Sequence, residues 1–142
     1  MKKILFISAA ALLSLVSCSK DDDDTASGPS AQAAASLKQG TWRISSYVDN
    51  NVDETDGFSS FTFTFSASGI VTASNSLLSA TGSWTTGVDD GKHELDLNFT
   101  TPALFTEIDE DWEIVSITST TISLKDVNDT GTETDVLVFT RN

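Results

Sequence analysis

Phe61-Thr62-Phe63-Thr64-Phe65 is the stretch that most constrains how this chain folds. Three aromatic rings alternate with two β-branched polar residues, the period-two pattern of a strand with one face buried and one face wet. No helix puts all three rings on one side. The same alternation returns at His93, Leu95, Leu97 and Phe99, set against Glu94, Asp96 and Asn98. Trp42, Ile44, Ser46 and Val48 share one parity as well, and Ala80–Thr86 carries Gly82 and Trp84. Ser68-Gly69 turns the chain into 70–73, and Asp89-Asp90-Gly91 is a two-residue hairpin signal. Trp112–Thr118, Thr121–Val127 and Asp135–Arg141 complete about eight short strands separated by turn residues.

Strands in such a series with no helices between them leave unpaired edges unless the sheet closes. The expectation is therefore all-β: a small up-and-down antiparallel β-barrel of about eight strands. One insertion interrupts the rhythm. Thr101 as N-cap and Pro102 at the first helical position would start one turn carrying Leu104, Phe105 and Ile108. These apolar side chains need a surface to cover, so the turn is expected over an open barrel end, as a plug or as a movable lid.

The N-terminal segment differs in kind. Met1-Lys2-Lys3 is a positive start, and 4–16 is an apolar run too short to span a membrane. The chain's one cysteine, Cys18, follows Leu15-Val16-Ser17 directly. This tetrapeptide resembles the lipobox of bacterial lipoproteins, which implies cleavage after residue 17 and lipid, palmitate included, on Cys18. No cysteine then remains for a disulfide, so an apolar core must hold the fold. Residues 19–36 contain no large apolar side chain. Segment 18–36 thus reads as a flexible tether between a signal peptide at 1–17 and a domain at 37–142. Within its far end, 31–39 has the composition of a short helix, with Ser30 as N-cap and Gly40 just past the end.

Lys20-Asp21-Asp22-Asp23-Asp24 resembles the export signal of some Gram-negative surface lipoproteins, implying an outer-membrane anchor facing the cell exterior. Asp24-Thr25-Ala26 resembles a short bacterial O-glycosylation acceptor, which marks Thr25. The formal charge of −13 becomes more negative once Lys2 and Lys3 leave. Such a field repels nucleic acid and anionic head groups, and excludes nucleic-acid binding.

Gly40-Thr41-Trp42 on the first strand and Arg141 on the last resemble the lipocalin signature. Together with Phe61–Phe65, Ser66-Ala67-Ser68-Gly69 and Thr81-Gly82-Ser83-Trp84, they make 37–142 similar to the short lipocalin-like domain of bacterial surface lipoproteins. That resemblance implies a barrel end closed by Trp42 with Arg141 across its ring. The Gly-Thr-Trp opening also suits an avidin-type barrel.

Function is less constrained. His93, the single histidine, has no nucleophile tied to it locally and reads as a hydrogen-bonded structural residue. No enzyme and no cofactor is expected, and zinc lacks ligands. Asp126–Gly131 imitates the start of a calcium loop, but Leu137 stands where the bidentate Glu is required, so it suits a hairpin turn.

Two readings follow. The resemblance implies a binder of a small hydrophobic molecule, lined by Ser46, Phe61, Phe63, Phe65, Trp84, His93, Leu95, Leu97, Phe99 and Phe105. The alternative is a packed structural or interaction module without a small-molecule ligand, toward which these bulky inward side chains push. An eight-strand interior is compatible with either.

Overall fold

A computed structural model of the protein describes residues 28–142; Cys18, Thr25 and the 1–17 segment lie outside them. Helix α1, Pro29–Leu37, precedes strand β1, Trp42–Asp49. A two-residue strand β2, Val52–Asp53, and a 3-10 turn, Thr55–Gly57, lead to β3, Thr62–Phe65, and β4, Ile70–Ser74. Then come β5, Ser79–Asp89; β6, Lys92–Asn98; the short helix α2, Ala103–Thr106; β7, Asp111–Ile117; β8, Thr121–Val127; and β9, Thr134–Arg141.

Each strand from β3 to β9 pairs antiparallel with the next, and β9 returns to β1. With β1 also touching β3, eight strands close an up-and-down barrel, and β2 is a hairpin appended to β1. Asp90 and Gly91 turn β5 into β6 at φ 46° and 78°, the left-handed pair that the Asp-Gly signal anticipates. Asn50 and Asn51 do the same between β1 and β2, at φ 48° and 65°.

The seam between β1 and β3 is short, a single register pair of Trp42 with Phe63. Beyond it the connection 54–61 closes the wall by other means. Thr55 Oγ1 accepts from the Tyr47 amide at 2.9 Å, and the Glu54 amide donates to the Tyr47 carbonyl at 2.9 Å. Phe58 fills the gap from inside and is fully buried.

The strand alternation runs as expected along β3 and β6, but β1 departs from it. Between Ile44 and Ser46 the register against β9 slips by one residue, so Tyr47 instead of Ser46 turns into the core. Such a bulge inserts one extra residue and reverses the parity beyond it. Ser46 stands opposite Val138 on the outward side, and it therefore does not line the interior. Ser45, the inserted residue, hydrogen-bonds Thr140 Oγ1 at 2.7 Å.

Residues 29–36, expected as the far end of a flexible tether or as a short helix, are helical and packed on the barrel. Ala33 and Leu37 are fully buried. Gly28 is the N-cap and Ser30 lies inside the first turn, so the helix starts two residues earlier than the sequence suggested. Gly40 leads from α1 into β1 at φ 76°, where any side chain would be strained.

Trp42 and Arg141 are register partners across the closing seam, and the guanidinium carbon lies 4.9 Å from the indole centroid. Trp42 Nε1 donates to the Leu37 carbonyl at 3.1 Å, and Arg141 Nη2 donates to the Ser36 carbonyl at 3.1 Å. Two of the last carbonyls of α1 thus accept donors from the barrel end that the helix covers. We expect Trp42→Ala to cost about 3–5 kcal/mol in denaturant unfolding, as a buried aromatic. Arg141→Ala should cost about 0.5–2 kcal/mol, and the double variant less than the sum of the two. Strict additivity would mean the two side chains do not act together.

Candidate functional site

The candidate ligand site is the barrel interior, and of its residues all but Ser46 and His93 converge there. Phe63, Leu95, Phe99 and Phe105 are fully buried, Leu97 and Phe65 nearly so, and Phe61 and Trp84 are 6% exposed. They converge on one another and leave no room between them. Phe105, on α2, has ring centroids of Phe61, Phe99, Phe58 and Phe63 at 5.0, 5.2, 5.8 and 6.1 Å. Deeper in, Phe139 meets Phe63 at 5.3 Å and Phe65 at 5.5 Å, and Phe65 meets Trp84 at 5.5 Å. Most of these pairs are edge-to-face, the arrangement in which ring edges meet ring faces favourably. Among the described residues no ligand-sized cavity lies inside the barrel or opens at either end.

α2 explains why. It sits between β6 and β7 and drives Phe105 into the end opposite Trp42, with Ile108 fully buried beside it and Leu104 packed at the rim. Pro102 is its N-cap, in place of the expected Thr101, so the helix starts one residue later than the sequence suggested. The carbonyls after α2 are held from within the barrel. Tyr47 Oη donates to Glu107 at 2.8 Å, and Trp112 Nε1 donates to Ile108 at 3.1 Å. Burial, with Asp49 and Glu107 nearby, raises the Tyr47 hydroxyl's pKa above the ordinary tyrosine value, so the hydroxyl stays a donor. Phe58, Tyr47 and Trp112 complete this plug. The turn after β2 gave no sequence sign that Phe58 points inward, and the bulge concealed Tyr47.

His93 lies at the other end, beneath the start of α1, as a hydrogen-bonded residue. Its Nδ1 is 3.0 Å from Ser30 Oγ and accepts the Ser30 amide at 3.4 Å. A Cβ on Gly28 would fall 2.5 Å from His93 Cε1, so only glycine lets the helix start this close to the ring. Ser46 is outside, as described above. Gly40, Trp42 and Arg141 are together at the closed end.

The Asp126–Gly131 segment is the end of β8 running into a turn. Asn128 Oδ1 accepts from Thr130 Oγ1 at 2.9 Å and from the Thr132 amide at 3.1 Å. Gly131, at φ 68°, donates its amide to the Asn128 carbonyl at 2.8 Å. Among the described residues no three His, Asp or Glu side chains gather as metal ligands.

The outer wall is strongly acidic. Asp96 stands opposite Asp111, Glu94 opposite Glu113, and Asp126 opposite Asp135. Lys92 and Lys125 reach Glu113 at 3.5 and 3.4 Å. Partial burial first, and then neighbouring carboxylates, raise the pKa of Asp111, Glu94 and Glu110 above the usual carboxylate values.

A carboxyl whose pKa is raised by folding binds its proton more tightly in the native state. Its charge therefore costs stability at neutral pH, and that cost disappears as pH falls through the raised value. Asp111→Asn should stabilise the barrel at pH 7 by about 0.2–1 kcal/mol, the usual size of a cross-strand like-charge penalty. The gain should shrink on acidification in urea melts. A variant no more stable at pH 7, or one whose gain is independent of pH, would contradict this.

No family model and no curated protein matches the sequence. Among solved structures, the fold is similar to that of a DUF4847 family protein from Bacteroides vulgatus. The two are 19% identical over 75% of this chain and 94% of that one, with a TM-score of 0.51. A lipocalin-like protein from Bacteroides uniformis is 13% identical over 75% and 99%, with a TM-score of 0.49. At these identities the first likeness extends to the fold alone.

Proposed function

We propose that this protein is a lipid-anchored lipoprotein of the cell envelope whose barrel is filled by its own side chains and acts through its outer surface. Acyl chains on Cys18 hold it in the outer membrane, and the Lys20–Asp24 run directs it to the cell exterior. The chain reaches the barrel at the Trp42 end, where the α1 N-cap, Gly28, lies ten residues after Cys18. It needs no cofactor and performs no catalysis.

One observation favours the filled module over the hydrophobic-ligand binder: Phe105 occupies the space between the Phe61-Phe63 and Leu95-Leu97-Phe99 faces that a ligand would need. A binder would require that ring to leave, and with it contacts to four other aromatic side chains.

The test uses the purified barrel domain's own tryptophan fluorescence and cell fractionation. Fatty acids, sterols and other apolar molecules should leave the emission unchanged, and Phe63→Ala should cost about 3–5 kcal/mol as a filled position emptied. A saturable change in the wild-type protein would return the assignment to the binder. In fractionated cells Cys18→Ala should move the protein out of the membrane fraction or leave it unprocessed, since acyl chains contribute about 0.8 kcal/mol per buried methylene. Wild-type protein lacking lipid would defeat the anchor.

A further inference from the structure

The β4–β5 hairpin, at the barrel end away from α1, presents a leucine to solvent with more care than a surface residue needs. Leu77 is 93% exposed and Leu78 40%. Isolated exposed apolar residues are ordinary on protein surfaces. Here the backbone that presents them is fixed from several directions. Asn75 Oδ1 accepts the amides of both Leu77 and Leu78, at 2.9 and 2.8 Å, and the Asn75 amide donates to the Leu78 carbonyl at 2.9 Å. Asn75 Nδ2 donates in turn to Ser60 Oγ at 3.0 Å, which ties the hairpin to the connection before β3. That connection exposes Glu54 and Asp56, and β2 just before it exposes Val52 and Asp53. No lysine or arginine occurs from residue 44 to 91.

We propose that the Leu77 tip is a docking knob for another protein of the envelope, one that offers an apolar socket rimmed by lysine or arginine. This rests on the reading of the barrel as a filled module acting through its surface. A knob already held in place loses little conformational freedom on binding, so its apolar area is available for affinity. The carboxylates of Asp53, Glu54 and Asp56, on the segment to which Ser60 ties the hairpin, choose the partner's charge and steer its approach. A second copy of this chain would bring the same carboxylates against themselves. An anionic membrane surface is repelled for the same reason, and the tip is at the opposite end from the α1 entry.

The experiment uses the full-length protein in its own cells, with the photo-reactive amino acid p-benzoylphenylalanine at position 77. The control carries it at position 115, where Val115 is also exposed, at 57%. Position 77 should give a protein adduct about tenfold or more above position 115, the margin expected of a central contact residue. Mass spectrometry of the adduct should find a partner peptide containing Lys or Arg. Combined Asp53→Asn, Glu54→Gln and Asp56→Asn should weaken the adduct, while Leu77→Ser should leave the unfolding midpoint of the purified protein unchanged. An adduct of twice the chain mass, a lipid adduct, equal adducts from both positions, a partner peptide without basic residues, or no adduct would each overturn the proposal. So would an adduct indifferent to the three neutral substitutions. Fractionation of the same cells separates the two readings: membrane-bound protein without an adduct defeats the docking knob alone, and soluble wild-type protein defeats the anchor.

Discussion

The rest of the barrel depends on the ring of Phe105. It is delivered by a four-residue helix, and yet it touches side chains from the connection before β3, from β3 itself and from Phe99, just past β6. Aromatic side chains bury more area than any others and prefer edge-to-face contact, so a few of them fill a narrow eight-strand interior that aliphatic residues would leave loose. Once Phe105 is seated, the interior is continuous from Phe58 through Phe63 and Phe139 to Trp84. The short β1–β3 seam is tolerable because Phe58 and Phe105 back it with packed rings.

Both ends are closed by the same physical device. A short helix lies across the mouth, and carbonyls at or just past its C-terminus meet donors rising from the core: Trp42 and Arg141 at α1, Tyr47 and Trp112 after α2. Large aromatic residues can seal an end only if their polar atoms find partners, because an unpaired buried donor costs more than a hydrogen bond returns. Here the helix termini supply the acceptors. Each helix is too short to be stable alone, and each barrel end would be open without it.

Much of this was legible in the chain. Phe61–Phe65 and Leu95–Phe99 alternate cleanly because neither strand contains a bulge, and the Asp90-Gly91 turn has residues that accept positive φ at low cost. The contact of Trp42 with Arg141 followed from a resemblance, since no local pattern links residues so far apart. What stayed hidden was non-local. The inserted Ser45 depends on how β1 meets β9, so the parity count placed Ser46 inside and missed Tyr47. Phe58 sits in a 3-10 turn cap, where periodicity carries no direction. Ser30 looked like a helix cap and is instead the partner of His93, sixty-three positions later.

The consequence for function is a change of emphasis from the inside of the barrel to its outside. An interior that the sequence left open to a hydrophobic molecule or to packed side chains is occupied by the chain's own side chains, and on the proposed reading recognition falls to the acidic wall and the fixed apolar tip. The most direct test of that account is xenon binding followed by NMR, because xenon enters apolar voids too small for a metabolite. The wild-type barrel should show no saturable interior site, and Phe105→Ala, which removes a ring from the middle of the cluster, should create one. A saturable xenon site inside the wild-type barrel would contradict the filled interior.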